Sequence, residues 1–146
     1  MDAKTYLEQI WNLNEKIKHL EQDALQYRDM AYSLSVDATK EHFNPNHPTS
    51  APYEKCIEKA DLMERTVTEL KEALAEMKAD AVEKIMKLDN ANQAFVLMMR
   101  YTEFWKWDEI SEYIGCSENH IYKIRREALE NFSKIFENDS MRIGCG

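Results

Sequence analysis

Apolar residues recur along the first part of the chain at alternating steps of four and three: Tyr6, Ile10, Leu13, Ile17, Leu20, Ala24, Tyr27, Ala31 and Leu34. This is a heptad seam, the mark of a helix that buries one narrow stripe against a partner helix. A second seam of the same rhythm runs through Tyr53, Cys56, Ala60, Met63, Val67, Leu70, Leu74, Met77 and Ala81. It slips at Lys84, so that Ile85 and Leu88 continue with one residue inserted. The slip is expected to mark the hand-over from a coiled coil to a second domain. Between the seams lie Pro45, Pro48 and Pro52, which cannot continue a helix. Two seams of equal length around a breaking loop predict an antiparallel coiled-coil hairpin, with helices over residues 1–36 and 53–88 and a loop over 37–52. The loop is long for a connection between packed helices and is expected to be a mobile tip; the other account is a binding element centred on His42, Phe43 and His47.

The pattern changes in the C-terminal third. In WDEISEYIGCSENHIYKIRREALENF, residues 107–132, Trp107, Ile110 and Ile114 give a short helix one apolar stripe. Gly115 stops it by accepting a left-handed backbone cheaply, Cys116 fills the turn, and Ser117 can cap the next helix. In that next helix Ile121, Ile124, Ala128, Phe132 and Ile135 cluster on one side, leaving Glu118, Asn119, Tyr122, Lys123 and Arg126 on the other. Helix, three-residue turn and helix in this order make a helix-turn-helix. A supporting helix is expected around residues 89–104, with Ala94, Phe95, Leu97, Met98, Tyr101 and Phe104 as core. The domain then spans 89–137, followed by a flexible tail over 138–146. The fold class is all-α throughout.

The outward residue types suit a DNA groove. Asn pairs in two places with adenine and Lys or Arg with guanine, while Tyr, His and further basic groups bond to phosphates. The candidate DNA-binding residues are therefore Ser117, Glu118, Asn119, His120, Tyr122, Lys123, Arg125 and Arg126. A polar outer face alone would be ordinary for any amphipathic helix. The glycine turn, the serine cap and the short preceding helix single this one out.

The stretch IGCSENHIYKIRREAL resembles the C-terminal helix-turn-helix of bacterial sigma factors, their region 4, in which a G-x-S turn precedes the recognition helix and an Ala-Leu pair, here Ala128 and Leu129, follows. With RYTEFWKWDEI upstream, it is also similar to small phage and prophage transcription regulators that join an N-terminal coiled coil to a sigma-like C-terminus. Arg100, Tyr101, Trp107, Glu109, Ile110, Gly115, Ser117, His120 and Tyr122 occupy the matching positions, with Ile114 and Ile121 standing in for Leu and Val. The resemblance implies a regulator that binds double-stranded DNA, with RNA polymerase as a further candidate partner, in the cytoplasm of a bacterial host. The chain departs from it at Lys106, where a serine-like cap is usual, and at Glu118 and Asn119, where the recognition helix is usually more basic.

Composition refines this picture. A chain of 146 residues with three Gly and three Pro supports one or two compact, mostly helical units. No apolar run approaches a membrane span, and MDAKTYLEQI lacks a signal-peptide core, so neither a membrane nor an export role is expected. Cys56, Cys116 and Cys145 are odd in number and far apart, which fits reduced thiols, and neither they nor the His residues have metal-ligand spacing. No glycine-rich phosphate loop, nucleophile elbow or HExxH is present, so neither catalysis nor a cofactor is expected. The net charge of −8 opposes simple nucleic-acid affinity, and residues 91–146 are themselves acidic on balance. Lys123, Arg125 and Arg126 nevertheless form a local basic cluster. One copy should bind weakly and in a salt-sensitive way, so that a second copy, engaged through the coiled coil as a homo-oligomer, or another protein is needed. Two other roles fit the same elements: a small-terminase-type DNA packaging component, and a protein that contacts RNA polymerase or a sigma factor without binding DNA.

Overall fold

The computed structural model describes residues 1–40 and 50–144. They form five α-helices and no strand: α1 (Ala3–Lys40), α2 (Ser50–Ile85), α3 (Ala91–Tyr101), α4 (Trp107–Ile114) and α5 (Glu118–Gly144). α1 runs past its expected end at 36, and α2 starts before its expected 53 but stops short of 88. α2 begins at Ser50 and carries Pro52 in its first turn, where a missing N–H costs nothing. It ends at Ile85, at the slip in its seam. Residues 41–49, which hold most of the expected mobile tip and the alternative binding element at His42, Phe43 and His47, lie outside the described residues. By density of contacts the chain divides into two units, residues 14–73 and residues 1–13 with 74–146.

In the 14–73 unit, Arg28 bonds Asp61 and Glu64 at 2.6 and 2.8 Å, and Lys71 bonds Glu21 at 2.7 Å. One partner number falls as the other rises, so α1 and α2 run in opposite directions here. Ile17, Ala24 and Ala31 on α1, and Ala60 and Val67 on α2, are buried at seven-residue intervals. The alternate seam positions Leu20, Tyr27, Leu34, Met63 and Leu70 are only half-buried. The seam thus has a deep column, mostly of alanine, and a shallow one of larger side chains. Arg28 holds the Glu64 carboxyl below its ordinary range. These bridges lie in solvent, which screens them, so the buried column carries more of the stability.

In the other unit the first turns of α1 and the last turns of α2 surround the three shorter helices. Leu7, Ile10, Ile85, Leu97 and Phe132 are fully buried. The Tyr6 ring stacks 6.4 Å from Phe132 and lies 5.1 Å from Phe136. Its hydroxyl donates to Asp80, which also accepts from Lys84 at 2.7 Å. Burial and the Asp80 carboxylate together push the Tyr6 hydroxyl well above the usual phenol range.

Asn90 caps α3 by accepting from the Gln93 N–H at 3.1 Å. Gln93 is buried and takes a 2.8 Å bond from Asn131 of α5, which locks the two helices together without an unpaired amide oxygen. The buried face of α3 matches the expected one only in part. Ala94, Leu97 and Tyr101 are core, but so are Val96 and Met99, whereas Phe95 is 44% exposed. Its sequence, ANQAFVLMMRY, is apolar on nearly every side, so periodicity alone does not select the buried face. α5 also runs on to Gly144, past the expected boundary at 137, and Lys87 bonds Asp139 at 3.0 Å. The carboxylate of Asp139 is only 16% exposed, so the helix is held at a position assigned to the tail.

Candidate nucleic-acid interface

α4 and α5 meet through residues 115–117. Gly115 ends α4 in the left-handed conformation, with φ 80° and ψ 32°, and its N–H and that of Cys116 both close onto the Ser111 carbonyl at 2.9 and 3.1 Å. A Cβ at Gly115 would meet nothing within 4 Å. Glycine is required there by backbone strain alone, which for an L side chain costs about 1–2 kcal/mol. Ser117 accepts from the His120 N–H at 3.2 Å, capping α5. Lys106, at the start of α4, makes no side-chain cap, and Asp108 and Glu109 in the first turn face the positive helix end instead.

The inner side of this corner is a small core of Val96, Met99, Ile110 and Ile121, against which Trp105, Trp107, Cys116 and Ile124 pack. Ile114, expected in the apolar stripe, is 38% exposed. It is the last residue of α4, and beyond it the chain turns inward through Cys116. On α5, Ile121, Ala128 and Phe132 are buried and Ile124 and Ile135 half-buried.

With that side fixed, the opposite side of α5 is presented to solvent. Ser117, Glu118, Asn119, His120, Tyr122, Lys123 and Arg126 are all exposed. Arg125 differs from the rest: it is half-buried, and its guanidinium lies 4.9 Å over the Trp107 ring. Arg100 lies 5.2 Å over the same ring and 3.8 Å over Trp11, and it donates to the Trp105 carbonyl at 3.1 Å. Burial and the neighbouring Arg125 charge lower its pKa. Burial likewise raises that of Tyr101, against the opposing pull of Arg125 and Arg100. Arg100, Trp107 and Arg125 therefore form a cation–π stack that ties α3, α4 and α5 together. No periodic signal points to it, because the partners are 89 residues apart in the case of Trp11 and Arg100. Arg100 had stood out only through the resemblance, whereas Tyr101 was expected as core and Trp107 in the apolar stripe of α4.

A second surface feature escaped the sequence pattern. Tyr113, 64% exposed, meets Phe95 at 6.2 Å and Trp105 edge-on at 5.4 Å, and the exposed carboxylates Glu109 and Glu112 occupy the same helix. α4 thus carries Asp108, Glu109 and Glu112 and no basic residue, whereas Lys123, Arg125 and Arg126 cluster on α5. Among the described residues, no group of His, Cys, Asp and Glu is placed to hold a metal ion, and no helix is long and apolar enough to cross a membrane. Comparison of the chain with protein-family models, with curated proteins and with solved structures gives no match.

Proposed function

We propose that this protein is a DNA-binding transcription regulator that reads duplex DNA through α5, with α4, the Gly115 turn and α5 acting as a sigma region 4-like helix-turn-helix. The supporting observation is the continuous exposed face of Ser117, Glu118, Asn119, His120, Tyr122, Lys123 and Arg126 on a helix whose other side buries Ile121, Ala128 and Phe132. Such a helix fits the major groove, and its leading turns present bidentate partners for adenine and guanine. In this proposal α1 and α2 form a coiled-coil hairpin that brings a second copy or a protein partner. The resemblance adds a phage or prophage origin and a bacterial cytoplasm as the place of action.

Selection of bound sequences from a random duplex pool tests the proposal. On the selected site, Asn119→Ala or Lys123→Ala is expected to cost about 1–3 kcal/mol and to relax preference at one or two base pairs. Equal loss on every sequence would reduce these side chains to phosphate contacts, and recovery of no sequence would remove the proposal. The exposed rings of Phe95 and Tyr113, in contact through Tyr113 with half-buried Trp105, favour a second role, contact with RNA polymerase or another protein, because exposed aromatics beside carboxylates suit an apolar surface with a basic rim. Retention of core polymerase by the full chain, without any shift of DNA, would favour that role alone.

A further inference from the structure

We infer that the first turn of α1 completes a phosphodiester-binding cleft beside the reading face of α5, with Lys4 as its third cation; this rests on the proposed binding of duplex DNA. The cleft, of about 460 Å³, is lined by Lys4, Tyr122, Arg125, Arg126, Leu129, Glu130 and Ser133. Lys4 is separated from the α5 residues by more than a hundred positions in sequence, yet it faces the same cavity. Its side chain is 58% exposed, and its ion pair with Glu8 is long, at 3.9 Å, and screened by solvent, so the ammonium can turn to an anion.

The chemistry is that of a backbone contact and not of base readout. Two guanidinium groups and one ammonium surround the cavity, and Tyr122 adds a hydroxyl donor. Ser133 already donates its proton to the Leu129 carbonyl at 2.8 Å and contributes only acceptor oxygen. Leu129 offers an apolar wall of the size a sugar ring can cover. Two carboxylates oppose an anion here: Glu130 in the lining, and Glu8, which pairs with Lys4 at 3.9 Å. Arg125 is held in place by its stack on Trp107, so less side-chain freedom is lost when it meets a phosphate.

Position along the helix agrees. From Ser117 to Arg126 the rise is about 13 Å, close to the major-groove width of about 12 Å. A helix whose leading turn lies among base edges therefore brings Arg126 and the cleft behind it to the phosphate wall. A sequence-independent site here also answers the problem set by a net charge of −8, because it gathers cations where the backbone passes.

The test uses the full-length chain and its Lys4→Gln and Glu130→Gln variants, with fluorescence anisotropy on one selected and one scrambled duplex across a salt series. Lys4→Gln is expected to weaken both duplexes by roughly threefold or more and to reduce the slope of log affinity against log salt by about one. Glu130→Gln is expected to strengthen both. Circular dichroism of each variant should match the parent, since both side chains are exposed. Parent-like affinity and slope for Lys4→Gln would overturn the cleft while leaving base readout by α5 intact, and so would a loss confined to the selected duplex. Absence of binding by the parent to either duplex would overturn both.

Discussion

Phe132→Ala is expected to destabilise the unit formed by residues 1–13 and 74–146 by about 3–5 kcal/mol, the range for deleting a fully buried phenyl ring from a packed core. Phe132 is fully buried on the inner side of α5 and stacks with Tyr6 and Phe136. Its loss would leave a cavity where α5 meets the first turns of α1. Trp11, Trp105 and Trp107 are the chain's three tryptophans and all lie in this unit, so urea unfolding followed by their fluorescence reads it directly. DNA binding should fall with it, because the exposed face of α5 is presented only while the buried side holds. An unfolding midpoint equal to the parent's would mean that Phe132 is not part of a tightly packed core.

Ala60→Asp is the second large effect, expected to cost about 3 kcal/mol or more, because a carboxylate would replace a fully buried methyl group in the 14–73 unit. The deep alanine column leaves no room for the added atoms and offers the charge no solvent. Thermal melts followed by circular dichroism should show a strong loss of helix stability. Glu72→Lys serves as the control: Glu72 is exposed on α2, and the exchange should be nearly silent. A melt for Ala60→Asp as high as that of Glu72→Lys would contradict the packing of α1 on α2.

The same column shows how much of the fold was legible. The seven-residue rhythm of apolar residues located both long helices, because a strict heptad can bury its stripe in few other ways, and α2 ends beside the slip at Lys84, short of the expected 88. It could not rank positions within the stripe. Leu20 and Leu70 look like the strongest seam residues but are half-buried, while Ala24 and Ala60 are deep, since close approach favours small side chains. Leu7, fully buried, lies off the seam altogether.

For the candidate site, local chemistry was readable and long-range contact was not. The Gly115 turn and the Ser117 cap follow from conformational preferences of those two residues, and the structure has both. The exposed and buried sides of α5 follow from its clean amphipathic spacing. Phe95 failed because α3 is apolar all round, so tertiary packing, and not period, chose its face. The end of α5 failed because residues 138–140 are polar, yet 138–143 contain neither Gly nor Pro, and polarity alone does not stop a helix. The stacking of Arg125 on Trp107 and the presence of Lys4 in the basic cleft depend on contacts that no local pattern encodes.

The central claim is that duplex DNA lies against α5. Titration of the isotope-labelled full-length chain with a duplex, followed by backbone amide shifts, tests it most directly. The largest changes are expected at residues 117–126, with smaller ones at Lys4 and Ser133, and little at Phe95 or Tyr113. Shifts confined to Phe95, Trp105 and Tyr113, or none at any residue of α5, would contradict it.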